Sequence, residues 1–482
     1  MKTKLKTNKG ITLIVLVIII IVLLILAGVS ISMLTGDKGM IKKATESKKS
    51  TEQAVAKEAV EVEVLGSLVN NGTYDKNKVK EKLKDNLNIS SSDIKDNLDG
   101  SLDVKYKGID LVVKTDGEVI YKVVLDCTPN TTPFLPDGAI VTNNDLNTGL
   151  TIKDDKGNEW VWIEVPKSIY NNTTYNNNGA NKPTGSTDYS KIEAVMNKYT
   201  ETYKSGTRFK DIWYAEDNGT MITEETQDLT LEQKSLKNGC GLTYDEYINK
   251  RQDMLKSVYE NGGFYIGKYE VGIMDSYRTR RIDLNVEPTE TPVIKEGAYP
   301  YNYVTNKQAQ QKTIELSTGG RTSSLMFGVQ WDLVLKHIEV KRTKLEGEAK
   351  LVDIQKDLNI NSSSWGNYND ASFNIDRGKY SENYGKNFTT VLGIFNKRLY
   401  NESEIGALLT TGATERNSIL NIYDLAGNVW EWTLEYTSHI DRQCASRGGN
   451  YGNYGSSFPS SVHGSYSATT LHHYLGFRSA LY

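Results

Sequence analysis

Residues 11–34, ITLIVLVIIIIVLLILAGVSISML, hold no charged side chain and follow Lys2, Lys4, Lys6 and Lys9. An apolar run of that length spans a bilayer as a single helix, because lipid offers no partner to an unpaired backbone group. The lysines keep its N-terminal end in the cytoplasm, so everything after residue 34 is expected outside, as in a single-pass cell-membrane protein. A secretory signal peptide has a shorter apolar core and a small-x-small cleavage site, which Ala27, Gly28 and Ser30 imitate only weakly.

The text around the start of that run is more specific. Lys9-Gly10 followed by Ile11-Thr12-Leu13-Ile14 resembles the type IV prepilin leader. In that family a dedicated peptidase cuts after the glycine, here between Gly10 and Ile11, and the hydrophobic helix stays on the mature protein. The resemblance implies the prepilin peptidase and other pilins as partners. Where the family usually carries Glu at the fifth mature position this chain has Val15, which bears on filament assembly and not on anchoring. A plain uncleaved anchor is the alternative. Beyond it, a polar helix is expected over 38–68 and a short one near 78–87. Alternating strands follow, with a hairpin turn at Lys114-Thr115-Asp116-Gly117. That order is the plan of a pilin-like stalk domain.

The net charge of −3 gives no reason to expect a nucleic-acid partner. Cys127, Cys240 and Cys444 are widely spaced, without any CxxC, which argues against a disulfide framework or a zinc site. One pairing, for example Cys240 with Cys444, stays open if the domain is extracellular. The organisation expected is a leader (1–10), a transmembrane helix (11–34), a stalk domain (35–126), a Pro/Thr-rich linker (127–136) and a large domain (137–482). Within the last, 167–260 is an Asn/Tyr/Lys-rich insertion with helices near 190–203 and 242–259.

Several pieces of the large domain occur in a telling order. Trp160-Val161-Trp162-Ile163-Glu164-Val165-Pro166 comes first, and Gly263-Phe264-Tyr265-Ile266-Gly267-Lys268-Tyr269-Glu270-Val271 second. Then come Tyr423-Asp424-Leu425-Ala426-Gly427-Asn428-Val429-Trp430-Glu431-Trp432-Thr433, Arg447-Gly448-Gly449 and Gly476-Phe477-Arg478. The whole resembles the formylglycine-generating enzyme (sulfatase-modifying factor) family, which implies an α+β, C-type-lectin-like fold. Physical chemistry gives these residues framework roles. Trp430 and Trp432 share a strand face, Gly427 and Gly448-Gly449 suit positive φ or close approach, and Arg478 suits a buried pair with Glu431 or Asp424. The resemblance further implies a structural calcium, with Asn428 and Glu431 as candidate ligands; no other cofactor is expected.

The oxidase of that family activates oxygen with copper held by two cysteines shortly after its Gly-Gly. Aligned on Gly448-Gly449, those places fall near Asn453 and Phe458, which cannot replace thiolates. Relatives using non-haem iron hold it with histidine and carboxylate, yet no HxxxHxE occurs here. A site built from His463 with His472 or His473 is the remaining arrangement, and adjacent histidines on an extended segment face opposite ways. No GxSxG, P-loop or HExxH appears. The chain is therefore expected not to be an enzyme.

From Gly448 to Phe477 there is no Lys, Arg, Asp, Glu, Gln, Met or Trp, although the chain is 24% charged and about seven charges would be expected there. Tyr, Ser, Gly, His, Asn and Thr dominate, the mixture used by adaptable binding loops. The same fold carries the variable proteins of diversity-generating retroelements, in which Asn codons scatter to NNY and never encode Lys, Glu, Gln, Met or Trp. This segment resembles theirs in composition and in its place between the two framework motifs. The resemblance makes 447–478 a variable binding region, with Tyr451, Asn453, Tyr454, Ser457, Phe458, His463, Ser465, Tyr466, Thr470, His472, His473 and Tyr474 as ligand-contacting candidates on an exposed face. The expected function is a membrane-anchored, pilin-like adhesin or receptor for an extracellular protein or glycan. The rivals are a formylglycine-generating or non-haem-iron enzyme and a structural minor pilin.

Overall fold

The computed structural model describes residues 40–482, apart from 68–74, 98–99, 122–124, 176–182, 184, 205, 279–285, 383–384, 391–394 and 397–405. Gly10, Ile11 and the run 11–34 lie outside the described residues. Among the described residues no helix is long and apolar enough to cross a membrane. The chain divides into two units, Met1–Val124 and Leu125–Tyr482.

In the first unit the polar helix runs Met40–Leu65 and buries Ala56, Val60 and Val64, four residues apart on one stripe. That stripe meets Val79 and Leu83 of a second helix, Lys76–Leu87, whose Asp75 side chain caps its first turn. Four antiparallel strands follow in chain order: Ile94–Asp96, Leu102–Tyr106, Ile109–Val113 and Val119–Tyr121. Leu102, Val104, Leu111 and Val113 alternate toward the same core. The turn before the last strand closes where Gly117 N donates to Lys114 O at 3.0 Å.

The second unit is α+β. Its larger sheet has six strands in the order Ser323–Leu325, Ser479–Leu481, Gly263–Gly267, Glu159–Glu164, Thr151–Lys153, Ile140–Asn143. The C-terminal strand thus sits between elements far away in sequence, which ties the chain end into the core. The inserted helices run Ser186–Tyr199 and Tyr244–Asn261; a capping box of Thr243 with Glu246 starts the second, and Gly262 in the left-handed region ends it. Helix Gly328–Glu346 starts differently. Its first amides, Gly328 N and Val329 N, donate to the carboxylate of Asp211 at 2.7 and 2.8 Å, a cap supplied by the insertion.

The five-stranded sheet positions the site. Its central strand, Trp430–Thr437, pairs antiparallel with Cys444–Arg447 and parallel with Leu475–Phe477, while His463–Tyr466 pairs outside Cys444–Arg447. Phe209–Lys210 adds to the far end of the central strand.

Candidate functional site

The central strand is buried along nearly its whole length, so its polar residues need partners inside the protein. Glu431 finds Arg478: the guanidinium Nε donates to both carboxylate oxygens at 3.1 and 3.0 Å, and Nη2 donates at 2.7 Å. The remaining Arg478 donors reach the carbonyls of Gly267 and Tyr423 at 2.9 and 2.8 Å. Of the two partners expected for Arg478, the structure selects Glu431. Trp432 donates its indole N–H to Val304 O at 3.0 Å. Gly448 and Gly449 have φ of +89° and +77°, and a Cβ on Gly449 would meet Phe458 O at 2.8 Å, so the turn after the arginine strand demands glycine.

Arg447, fully buried, points to one side of the sheet. It pairs with Asp332 and, at 3.3 Å, with Glu435, and it also touches His463 Nε2. Burial pushes Asp332 up to about 7 against the pull of Arg447. Asp332, Glu435 and His463 line a cavity of about 250 Å³ together with Lys204, Asp211 and Arg251.

A different pocket, of about 320 Å³, opens where the charge-free stretch folds back on itself. Its walls are Trp430, Asn450, Tyr451, Gly452, Asn453, Phe458, Tyr466, His473 and Tyr474. The rings contact one another edge to face or tilted. Trp430 meets Phe458 with centroids 5.8 Å apart and Tyr466 at 6.4 Å, and Tyr466 meets Tyr474 at 6.2 Å. Trp430 can reach in because Gly464 has no side chain: a Cβ there would lie 3.0 Å from the indole ring. Tyr451 OH lies 2.5 Å from His473 Nδ1. Burial, with the neighbouring His472 and Lys386, lowers His473 to about 4, so it is uncharged at neutral pH. Asn453 Oδ1 accepts from Asn450 N at 3.1 Å and holds the turn that presents both amides.

The structure therefore brings together Tyr451, Asn453, Phe458, Tyr466, His473 and Tyr474 from the sequence-based set. It separates the others. Tyr454, 51% exposed, and Ser457 face solvent beyond the rim. His463 turns into the charged cavity and stacks near Phe209, with centroids 4.6 Å apart. Ser465 shares that side of its strand, and Thr470 sits in the loop 467–474, away from the pocket walls. His472 stacks on Tyr474 at 3.6 Å, behind the wall. The expectation of one exposed face is thereby corrected: Tyr451 is 2% exposed, and Tyr466 and Tyr474 pack partly into the core. The opposed histidines are corrected too. Segment 467–474 is a loop, so side chains need not alternate, and the His472 and His473 rings lie 4.3 Å apart. Trp430 and Asn450 were not among the candidates; the signal for Trp430 was its place next to Glu431 on a strand that borders the stretch.

The metals implied by the resemblance fit these residues poorly. Both oxygens of Glu431 are taken by Arg478. Asn428 Oδ1 already accepts from Asn367 Nδ2 at 2.8 Å and Leu409 N at 3.0 Å, and its amide N–H donates to Glu270 at 2.7 Å. A calcium ion takes about six to eight oxygens, which this pair does not offer. Asn453 and Phe458 supply no thiolate for copper. Among the described residues no three His, Cys, Asp or Glu side chains are grouped to hold a metal.

Comparison with known proteins agrees with the framework. The family model of the sulfatase-modifying factor enzyme 1-like domain matches residues 354–481, which hold the Trp430–Thr437 strand, the Gly-Gly turn, Arg478 and the whole aromatic pocket. The C-terminal part of the chain thus carries a formylglycine-generating-enzyme-like domain. No curated protein and no solved structure matches the chain.

Proposed function

We propose that this domain is a non-catalytic ligand-binding module, that its aromatic pocket and rim form the binding surface, and that 447–478 is a diversified segment. One observation carries the reading: the stretch emptied of charge supplies every wall but Trp430 of an uncharged aromatic pocket. Rings offer flat apolar contact, and the Asn450 and Asn453 amides and tyrosine hydroxyls offer directional hydrogen bonds. That combination suits a sugar ring or a neutral peptide surface better than an ionic ligand. Oxidase chemistry is a poor match, because the places of the copper cysteines hold an amide and a phenyl ring.

In this proposal the apolar run 11–34 anchors the chain in the cell membrane, with the domain outside, as in pilin-like proteins. The long helix packed on an antiparallel sheet in the first unit supports the pilin-like part. Sequencing codons 440–482 and their flanking DNA across a growing population tests the diversification. Scatter confined to adenines of a nearby repeat is the expected result, and one invariant sequence without a second copy would remove that mechanism.

A further inference from the structure

The turn at 238–242 is held tightly: Asn238 Oδ1 accepts from Cys240 N at 3.0 Å and Leu242 N at 2.9 Å. It brings Cys240 from the insertion against Cys444, the first residue of the strand that pairs with both Trp430–Thr437 and His463–Tyr466. Both cysteines are buried, at 1% and 0% exposure. Cys240 and Cys444 neighbour each other in the same core cluster, and Tyr214 OH lies 2.9 Å from Cys444 Sγ. The approach is close enough that a Cβ on Gly239, beside Cys240, would lie 2.8 Å from Cys444 Sγ. The neighbouring Cys444 and burial hold the Cys240 thiol well above its usual range, so in the folded chain Cys240 is a poor nucleophile and a poor metal ligand.

We propose that Cys240 and Cys444 are joined by a disulfide formed while the chain folds outside the cell. The oxidant is a disulfide donor, either a small-molecule disulfide or a thiol oxidoreductase. One cysteine thiolate attacks the donor S–S bond, giving a mixed disulfide and releasing one donor thiol. The second cysteine thiolate attacks the protein sulfur of that mixed disulfide, the Cys240–Cys444 bond forms, and the second donor thiol leaves. Two electrons and two protons pass to the donor. The cross-link closes a loop of roughly 200 residues, long enough for a large effect on the unfolded chain. It pins the insertion to the sheet that carries Tyr466, which gives 167–260 a role in holding the binding surface. The proposal rests on the reading that this domain lies outside the cell, and it stands whatever the pocket binds.

The test uses the full chain, recovered in detergent from cells lysed with N-ethylmaleimide present. The protein is denatured without reductant, digested and analysed by mass spectrometry. The expected result is a linked pair of peptides carrying Cys240 and Cys444, two hydrogens lighter than the free pair, with exposed Cys127 alkylated. Reduction before alkylation should release the link. Alkylation of all three cysteines without reduction, with Cys127 labelled on intact cells by a membrane-impermeant maleimide, or linkage of Cys127 to either of the others, would overturn the pairing. Cys127 alkylated only after lysis, and left unlabelled on intact cells, would overturn the extracellular placement instead. No variant is needed, so a folding defect cannot obscure the outcome.

Discussion

One short strand, His463–Tyr466, borders two environments that differ in almost every respect. On one side His463 faces Arg447, Asp332 and Glu435, buried ionisable groups. On the other, Gly464 and Tyr466 face Trp430 and an aromatic pocket whose walls carry no formal charge. Every ionisable partner on the first side, His463 excepted, comes from elements outside 448–477; every wall of the second except Trp430 comes from inside it. Under the proposed reading, 448–477 is the segment that changes its surface chemistry, while the charges that hold the backbone stay in elements that need not change. Burial explains the division. A buried charge without its partner costs several kcal/mol, whereas exchange of one neutral rim side chain for another costs little.

The largest predicted effect breaks the charged side. Arg447→Met leaves Asp332 and Glu435 buried without their cation and should cost about 3–5 kcal/mol, read from chemical denaturation. A loss below about 1 kcal/mol would mean that the carboxylates are neutralised in another way. Next comes the aromatic side. Phe458→Ala, at a side chain 37% exposed, should lower affinity for a ligand selected by glycan array or peptide display about 30-fold, or about 2 kcal/mol. Folding stability should change by less than about 1 kcal/mol. Unchanged affinity would move the binding surface off the pocket.

The smallest effect is a pair of opposed pH dependences. His473 is a base whose folded value, about 4, lies below its usual 6.5, so its contribution is present above pH 6.5 and is lost as pH falls through 4. Asp332 is a carboxylate raised to about 7 from 3.8; its folded state favours the proton, and that contribution is lost as pH rises from 4 through 7. Denaturation curves should therefore show His473→Gln removing part of the acid-side loss and Asp332→Asn part of the loss toward neutrality. Parallel pH profiles for wild type and both variants would contradict the contrast between the two sides.

Local signals were legible where a residue's role depends on its near neighbours. The helix Met40–Leu65 and the hairpin turn at Gly117 follow from short-range patterns, and so does the positive φ of Gly427, Gly448 and Gly449. The Glu431–Arg478 pair was legible as one of two choices, because a buried guanidinium must find a carboxylate. The wall of the pocket was only half legible. Tyr454 and Tyr466 look alike in sequence, yet one faces solvent beyond the rim and the other is packed against Trp430 and Trp432. Their difference lies in which strand pairs beside Cys444–Arg447, and no local pattern encodes that choice.

By itself the sequence determined that 448–477 would bring no Lys, Arg, Asp or Glu side chain to whatever it builds, and that tryptophans, glycines and two arginines would frame it. Composition and spacing are carried by the chain whatever its path. The tertiary structure alone decided that Trp430 floors the pocket, that His463 leaves it for Arg447, and that Cys240 meets Cys444. Each of these is a contact between elements distant in sequence or a choice between two faces of a strand, and only the packing of the whole domain sets those.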